Sequence, residues 1–469
     1  MKTEIAAITK RPVETGPVAA DTAAALFRDP SAPHNGNVKT FIRAVVAASG
    51  AGVLLLAPAA LSAQTCPDPA ALTSGLPLPL SAVRYLADDG LKGRLAGSDG
   101  ERCAGEFIAR EFARIGLKPG GDDGTFFQSL DLASVLNPHA PGGTGRNVIA
   151  TLEGADPELK REWVVVGAHY DHLGEGGGPN SLSPGERAIH NGADDNASGV
   201  AAVLWVAERL AAGPRPARSI AFVAFTGEES GLLGSAHFAK HPTTGADPIV
   251  GMINLDMVGR LNGGTLLVFG VGTAVEWNAL LEPAAARAGV TIATKGDGYG
   301  PSDHTSFYLK DVPVLHFFTN THGDYHKPSD DWDKIDSKGL TAVASIVADV
   351  ALAAANSRPR LTLKRGAGEP PKPMSGTGGY GAWLGSVPDF TPVERGVKLS
   401  GVTKGSPAEA AGIRAGDVLV GLGDHDVADL QAMTVALRAH KPGDLVDVRV
   451  LRDGEPLTLK VTLGSRANR

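Results

Sequence analysis

A chain of 469 residues is too long for one ordinary hydrophobic core, so its length predicts two or three domains. Its composition, with 43% hydrophobic and 20% charged residues, is typical of a globular protein. The formal net charge of −7 is mild and no long basic run occurs, so nucleic acid is excluded as an expected partner.

Residues 38–65 have the pattern of an export signal. Lys39 and Arg43 precede an apolar run that ends in small residues. The run is short for a membrane span and is interrupted by two glycines and Pro58, which favours a cleaved signal over a transmembrane anchor. Residues 1–37 do not resemble the start of a signal, so they are an unusual leader or reflect a start codon assigned too far upstream. The sequence therefore predicts a periplasmic or secreted protein with no stable membrane span after cleavage.

The two cysteines, Cys66 and Cys103, both follow the proposed cleavage site. In an oxidising compartment they could form one disulfide between the mature N-terminus and the first helix, and two free thiols are the alternative. The chain has no CxxC pair, so we do not expect cysteine to bind a metal.

Residues 75–357 alternate between helical and strand patterns. The first part reads as two amphipathic helices, and six short apolar runs rich in Val, Ile and Phe then follow, of the kind that fill buried strands. These runs are RNVIATLEG, EWVVVGAHY, RSIAFVAFT, IVGMINLDM, TLLVFGVG and VPVLHFF. Helical patterns lie between the runs, so we predict an α/β domain with three αβα layers and a mostly parallel central sheet.

The composition changes after this domain. Residues 358–378 are dense in Pro, Gly and basic residues and predict a linker. Residues 379–465 carry short strand patterns and one helical pattern near residues 428–439, which predicts a small α+β domain.

Titratable side chains are concentrated where the predicted strands end. In open α/β sheets the loops at the carboxyl ends of the strands converge on one crevice, so these side chains are expected to meet. They are His169 and Asp171, Asp194 and Asp195, Glu228 and Glu229, Asp256, and His326.

Five of these side chains form a coherent set of metal ligands. A catalytic zinc ion takes three protein ligands, which are imidazole and carboxylate when no thiolate is available, so two zinc ions that share a carboxylate need five groups. The five are His169, Asp194, Glu229, Asp256 and His326. Asp171 is well placed to accept the other N–H of the His169 ring and to fix its tautomer. Glu228, which is left without a metal, suits a general base that takes a proton from an attacking water.

Each motif alone has a simpler explanation, because an acid pair before a helix is commonly an N-cap. Together, five motifs resemble the M28 family of zinc aminopeptidases and occur in the family's order. They are GAHYDHLG, GADDNASG, FTGEESGLLGS, NLDMVG and HKPSDDWDKI. The resemblance covers residues 75–357 and implies two Zn²⁺ per chain, although Co²⁺ and Mn²⁺ suit the same ligands.

The resemblance also assigns roles to single residues. It implies one zinc ion on His169 and Asp256, a second on Glu229 and His326, and a bridge between them from Asp194. It implies that the peptide bond from Asp194 to Asp195 is cis and that Glu228 is the base. It selects His326 among the late histidines, and His304 and Asp303 are then expected in the wall of the cleft.

Residues 379–465 resemble a PDZ domain. The resemblance is carried by GAWLG at 381–385, by VTKGSPAEAAGIRAGDVLVGLGDHDV and by the helical pattern LQAMTVALRAH. It implies a glycine-rich turn whose backbone N–H groups bind the terminal carboxylate of a peptide that is added as a strand. The alternative is a module that only packs against the catalytic domain.

The expected function is that of an exported two-zinc exopeptidase that removes residues from the amino end of peptides or proteins. A glutaminyl cyclase, with one zinc on a similar fold, is the alternative enzyme, and the presence of both histidines and all three carboxylates argues against it. A catalytically silent scaffold that acts through its PDZ domain would have lost ligands, and none is lost. The sequence does not give the side-chain preference, and it does not separate an aminopeptidase from a carboxypeptidase or a dipeptidase.

Overall fold

The computed structural model describes residues 65–133, 142–176, 180–183, 186–243, 247–368, 382–391, 393–428 and 430–465. The predicted leader, almost all of the predicted export signal and residues 369–381 around the end of the predicted linker lie outside these ranges. The two predicted globular domains lie almost entirely within them.

A nine-stranded mixed sheet forms the centre of the first domain. In chain order the strands of this domain are β1 (Lys118–Pro119), β2 (Phe127–Asp131), β3 (Thr144–Leu152), β4 (Trp163–His169), β5 (Gly174–Glu175), β6 (Ile189–His190), β7 (Ser219–Phe225), β8 (Ile249–Leu255), β9 (Leu266–Phe269), β10 (Ile292–Thr294) and β11 (Val314–Phe318). The sheet has the order β1-β3-β7-β4-β8-β11-β9-β10, with β2 paired to β3, and β5 and β6 form a separate hairpin-like pair. The four central strands β7, β4, β8 and β11 are parallel, whereas β3 and β9 run antiparallel to their central neighbours.

Helices cover both faces of this sheet. They are α1 (Pro69–Thr73), α2 (Leu80–Leu86), α3 (Asp99–Ile115), α4 (Gly199–Ala211), α5 (Leu233–Lys240), α6 (Trp277–Ala288), α7 (His304–Tyr308) and α8 (Ser337–Asn356). Strand β7 shows the layering, because Phe222 packs in a core with α3, α4 and α8, while its neighbour Val223 packs in a second core with Phe238 of α5 and Phe307 of α7. The predicted three-layer arrangement is confirmed.

Helix α8 belongs to the core of the first domain. Among the described residues it is the one helix long and apolar enough to cross a membrane. It packs against α4, α6 and β4, and Val343, Ile346 and Val347 are fully buried. Asp349 forms ion pairs with Arg209 of α4 and Arg287 of α6, at 3.1 and 2.9 Å. The helix is therefore held inside the fold on its apolar side and tied to its neighbours on its polar side.

Part of the predicted linker is packed on the first domain. Leu361 is buried, the backbone N–H of Val275 donates to the carbonyl of Thr362 at 3.1 Å, and Arg365 pairs with Asp311 at 2.8 Å. Residues 358–368 thus extend the first domain, because one apolar side chain and several backbone groups find partners there.

The second domain is an antiparallel sheet with its own hydrophobic core. Its elements are β12 (Ala382–Trp383), β13 (Ser386–Asp389), β14 (Val397–Val402), α9 (Pro407–Ala410), β15 (Val418–Leu422), β16 (His425–Asp426), α10 (Leu430–Arg438), β17 (Leu445–Arg452), β18 (Glu455–Thr462) and β19 (Gly464–Ser465). The sheet order is β13-β14-β15-β17-β18, with β16 on β15, so β13 is an edge strand. Helix α10 falls within the predicted range 428–439.

Cys66 and Cys103 form a disulfide. Cys103 is buried in α3, so the bond attaches the start of the described chain to the helical layer of the first domain. Of the two alternatives that the sequence leaves open, the structure has the disulfide.

Candidate metal centre

The predicted site residues meet at one edge of the central sheet. His169 is the last residue of β4, Asp256 directly follows β8, and Glu228 and Glu229 follow β7. His326 lies in the loop after β11. Because these four strands are parallel, their carboxyl ends share an edge, and the expected convergence of the loops is present.

The carboxylate of Asp195 lies between two histidine rings. Its Oδ1 is 3.3 Å from Nε2 of His169, and its Oδ2 is 3.1 Å from Nε2 of His326. The side chain is buried in the irregular helical turn, residues 193–198, that precedes α4. Two oxygens that face two different imidazoles are the arrangement expected of a carboxylate shared by two cations.

The structure corrects the sequence analysis on which acid holds this position. Asp194 points away: its Oδ1 accepts the backbone N–H of Gly259 at 2.7 Å, and its Oδ2 lies 3.1 Å from Nε2 of His322. The cis peptide bond joins Asp195 to Asn196, not Asp194 to Asp195. The motif GADDNASG offers two adjacent acids, and the torsions of the turn decide which of them faces the sheet edge.

The remaining predicted ligands complete two groups of side chains. Nε2 of His169 is 3.4 Å from Oδ1 of Asp256 and 3.9 Å from Oε2 of Glu228. Nε2 of His326 is 3.4 Å from Oε2 of Glu229. The general base proposed from the sequence is therefore next to the first histidine, and the second acid of the Glu–Glu pair is next to the other.

His172 is a member of the site that the sequence analysis missed. Its Nδ1 is 2.8 Å from Oε1 of Glu229 and 4.0 Å from Oδ2 of Asp195, and the side chain is fully buried. The available signal was its place in GAHYDHLG, one residue after Asp171. The strand pattern does not extend past His169, so no periodicity predicts the direction in which the His172 side chain points.

Asp171 is next to His169, as expected. Its Oδ1 is 3.7 Å from Nδ1 of His169, and its main-chain oxygen is closer, at 3.2 Å. The same Oδ1 accepts the backbone N–H of Glu228 at 3.0 Å. Asp171 thus favours a proton on Nδ1 of the ring, which leaves Nε2 facing the acids, and it also fixes the main chain of the candidate base.

The ionisable side chains of the site change one another's pKa values. Burial raises the pKa of Glu228 well above its ordinary value. Burial also opposes ionisation of Glu229 and Asp195, but the neighbouring histidines have the larger effect. The pKa of Glu229 therefore falls to about 2, and the pKa of Asp195 lies well below its ordinary value. Burial likewise opposes charge on His169, and the carboxylates raise its pKa well above the ordinary value. In the metal-free chain, protonated imidazoles therefore supply the positive charge that these acids need.

The donor atoms suit divalent cations. In each of two groups, the possible ligand atoms lie within 4.8 Å of one another, as imidazole nitrogens and carboxylate oxygens do around zinc. The groups are His169, Glu228 and Asp256, and His172, Asp195 and Glu229. A bound cation would replace the protons of the imidazoles as the counter-charge, so the residues present fit a metal.

Arg94 holds two loops of the site together. Its guanidinium is buried and donates to the main-chain oxygens of Tyr170, Asn191 and Gly192, at 2.9, 2.6 and 3.0 Å. Burial lowers its pKa to about 10. It joins the loop after β4 to the loop before Asp195, and no periodicity in the sequence predicts this role.

Asp303 and His304, which the sequence analysis expected in the wall of the cleft, lie at the start of α7. Both are buried, and the ring of His304 stacks on His316 with a centroid distance of 4.5 Å. The preceding residue, Ser302, donates its hydroxyl to Oδ2 of Asp256 at 2.7 Å. This segment therefore orients Asp256.

Two sequence families match this chain. Residues 147–351 match "Peptidase family M28", and residues 388–463 match "PDZ domain". The resemblance of these two segments to the M28 and PDZ families is confirmed.

Curated relatives are similar over part of the chain. A probable zinc metalloprotease of Pyrenophora teres is 29% identical over 243 residues, which is 50% of this chain and 49% of the relative. Leucine aminopeptidase 1 of Trichophyton equinum is 35% identical over 175 residues, 34% of this chain and 43% of the relative. The chain thus spans about half or less of the length of these curated relatives.

Among solved structures, a Zn-dependent exopeptidase from Parabacteroides distasonis is similar with a TM-score of 0.49 and 21% sequence identity. The match covers 61% of this chain and 99% of that chain.

Proposed function

Since the chain contains a peptidase domain of family M28 followed by a PDZ domain, we propose that it is a zinc aminopeptidase that is exported from the cytoplasm. The observation that carries the proposal is the position of Asp195, whose two carboxylate oxygens face His169 and His326. This carboxylate would be shared by two zinc ions.

We assign the remaining ligands by distance. His169 and Asp256 would hold one ion, and Glu229 and His326 the other. When bound, zinc supplies a water acidic enough to attack a peptide carbonyl and stabilises the charge that develops on the carbonyl oxygen. The donor set is the one expected for this metal, with no thiolate among the ligands.

Glu228 is the proposed general base. Its Oε2 lies 3.9 Å from Nε2 of His169, and its backbone N–H donates to Oδ1 of Asp171. Its carboxylate would take a proton from the attacking water and give it to the leaving amine, while the water oxygen bonds to the carbonyl carbon and the C–N bond breaks. Burial favours the protonated form of Glu228 and a nearby cation favours the carboxylate, so metal binding would prepare it to accept the proton.

Export is proposed on two grounds. Residues 38–65 have the pattern of a signal, and the disulfide between Cys66 and Cys103 suits an oxidising compartment. N-terminal sequencing of protein recovered from outside the cytoplasm tests this, and a mature protein that retains Met1 would contradict it.

The hydrolase proposal is tested with a panel of aminoacyl-anilides and peptides with free or acetylated amino ends. The zinc-loaded wild type is expected to cleave only substrates with a free amine, and a chelator is expected to abolish turnover. Glu228→Gln, which keeps the shape of the side chain, should bind zinc normally and lose about 10²–10⁴-fold in kcat. Equal activity of the glutamine variant would remove Glu228 from this role. Cyclisation of N-terminal glutamine with one zinc per chain would indicate the cyclase, and no turnover at all would indicate a scaffold.

A further inference from the structure

Two residues of the peptidase domain attach it to the PDZ domain. The side-chain amide of Asn320 donates to Asp389 Oδ1 and Thr391 Oγ1, at 2.5 and 3.1 Å, and its carbonyl oxygen accepts the backbone N–H of Phe390 at 3.0 Å. The hydroxyl of the next residue, Thr321, donates to the carbonyl of Pro388 at 2.5 Å. Both polar ends of Asn320 are therefore used by the PDZ domain.

The attached loop is the one that carries the late histidines. It leaves β11 at Phe318, contacts the PDZ domain at Asn320, reaches Asp194 through His322 and then supplies His326 to the metal centre. A displacement of the PDZ domain would thus act directly on this loop.

Phe390 inserts from the PDZ domain into an apolar cluster of the peptidase domain. Its ring meets Phe318 edge-on at a centroid distance of 5.3 Å and Phe269 at 6.4 Å. We call this cluster the aromatic patch. Its larger side chains are Met257, Leu267, Phe269, Phe318, Tyr325 and Phe390.

The aromatic patch borders the metal centre on two sides. Met257 directly follows Asp256 in the chain, and Tyr325 stacks on His326 with a centroid distance of 3.9 Å. Phe269, Tyr325 and Phe390 are partly exposed, so the patch has an open surface. A substrate whose free amine lies at the centre would place its first side chain within reach of this surface.

We propose that the PDZ domain is a working part of the peptidase site: Phe390 forms one wall of the surface that receives the first side chain of the substrate. Asn320 and Thr321 hold Phe390 in place. The proposal rests on the aminopeptidase function proposed above and makes Phe390 a specificity-determining residue that lies outside the peptidase domain. Its ligand is an apolar amino-terminal residue.

Charge at the border of the patch supports an apolar ligand. The ammonium of Lys295 lies 5.4 Å from the centre of the Phe269 ring. A lysine or arginine at the amino end of the substrate would meet a like charge there, whereas a leucine would bury apolar surface.

The experiment compares leucine and alanine as the first residue in the full, zinc-loaded chain. For the wild type and Phe390→Ala we would measure kcat/KM for the two aminoacyl-anilides and, separately, the binding of free leucine and free alanine by calorimetry. Phe390→Ala should reduce the leucine-to-alanine ratio about tenfold or more in both measurements, as expected for lost apolar contact. A partly misfolded preparation lowers both values of kcat/KM equally, so the ratio is insensitive to it.

Two further variants complete the design. Asn320 has a positive φ of 78°, so Asn320→Gly removes the amide without straining the backbone, and it should also lower the ratio because Phe390 loses its hydrogen bond. Leu445→Ala, at an exposed position on β17, should leave the ratio unchanged. An unchanged ratio in Phe390→Ala overturns the proposal. A wild type that cleaves neither substrate but whose binding ratio falls in Phe390→Ala would contradict the aminopeptidase function alone.

Discussion

Nδ1 of His172 lies 2.8 Å from Oε1 of Glu229, which is the carboxylate oxygen that does not face His326. The other oxygen, Oε2, is the one directed to the candidate metal centre. His172 thus fixes the rotation of the Glu229 carboxylate in the same way that Asp171 orients His169. Residues 169–172 therefore contribute both to the group around His169 and to the group around Glu229.

Replacement of His172 by alanine is expected to weaken zinc binding by about 10–100-fold, because the ligand Glu229 loses the group that orients it. A competition titration with a chromogenic chelator measures this without reference to catalysis. His241→Ala, at an exposed histidine, is the matched control and should bind zinc as the wild type does. Equal zinc affinity in both variants would show that Glu229 is oriented without His172.

Asp194 and Asp195 are expected to respond differently to the same change. Asp195→Asn should lose zinc and reduce kcat by more than about 100-fold, since a neutral amide does not bridge two cations. Asp194→Asn should retain zinc and lose stability by about 1–2 kcal/mol, because its carboxylate accepts bonds from Gly259 and His322. Metal analysis and thermal unfolding of the two variants check this. Loss of zinc in the Asp194 variant with retention in the Asp195 variant would restore the assignment made from the sequence.

The sequence does not predict which of Asp194 and Asp195 faces the metal centre. The runs of Val, Ile and Phe predicted the central strands, and a parallel sheet then required that His169, Glu228, Glu229 and Asp256 meet at one edge. Which of two adjacent acids faces that edge depends on the torsions of a single turn, and periodicity carries no information about them.

Sequence patterns also do not predict long-range contacts made outside helices and strands. Arg94 and Asn320 act through main-chain groups and polar atoms of distant segments. Their residue types do not repeat with a helical or strand period. The composition of residues 358–378 likewise does not predict that Leu361 is buried, because a single leucine among prolines, glycines and basic residues hardly changes it.

Glu101 should make stability depend on pH. This carboxyl group is buried in α3, accepts the backbone N–H of Gly97 at 2.6 Å, and has a pKa raised by burial to about 8. A raised pKa in the folded state gives stability that is fully present below the ordinary pKa and is lost as the pH rises through about 8.

The free energy of unfolding of the metal-free wild type, minus that of Glu101→Gln, should therefore fall by about 2–4 kcal/mol between pH 5 and pH 8. The subtraction cancels the titration of groups common to both proteins. Denaturant unfolding at the two pH values measures it, and a difference that does not change with pH would contradict a buried, protonated Glu101.

The disulfide should stabilise the first domain against unfolding. Cys66 and Cys103 are 37 positions apart, and closing a loop of that size in the unfolded chain is worth about 3–4 kcal/mol in the chain-entropy account. Cys66→Ser should lose that amount, a reductant should lower the wild type to the same value, and the reductant should not affect the variant. A wild type that is insensitive to reductant would argue against the bond.

Asp349 is also expected to affect how the chain crosses a membrane before it folds. Under the proposed export, the unfolded chain would present α8 to the translocation machinery as twenty mostly apolar residues. An aspartate inside such a segment costs about 2.5–3.5 kcal/mol toward insertion into the bilayer. The carboxylate that later pairs with Arg209 and Arg287 would thus help the helix to pass through the membrane instead of stopping in it.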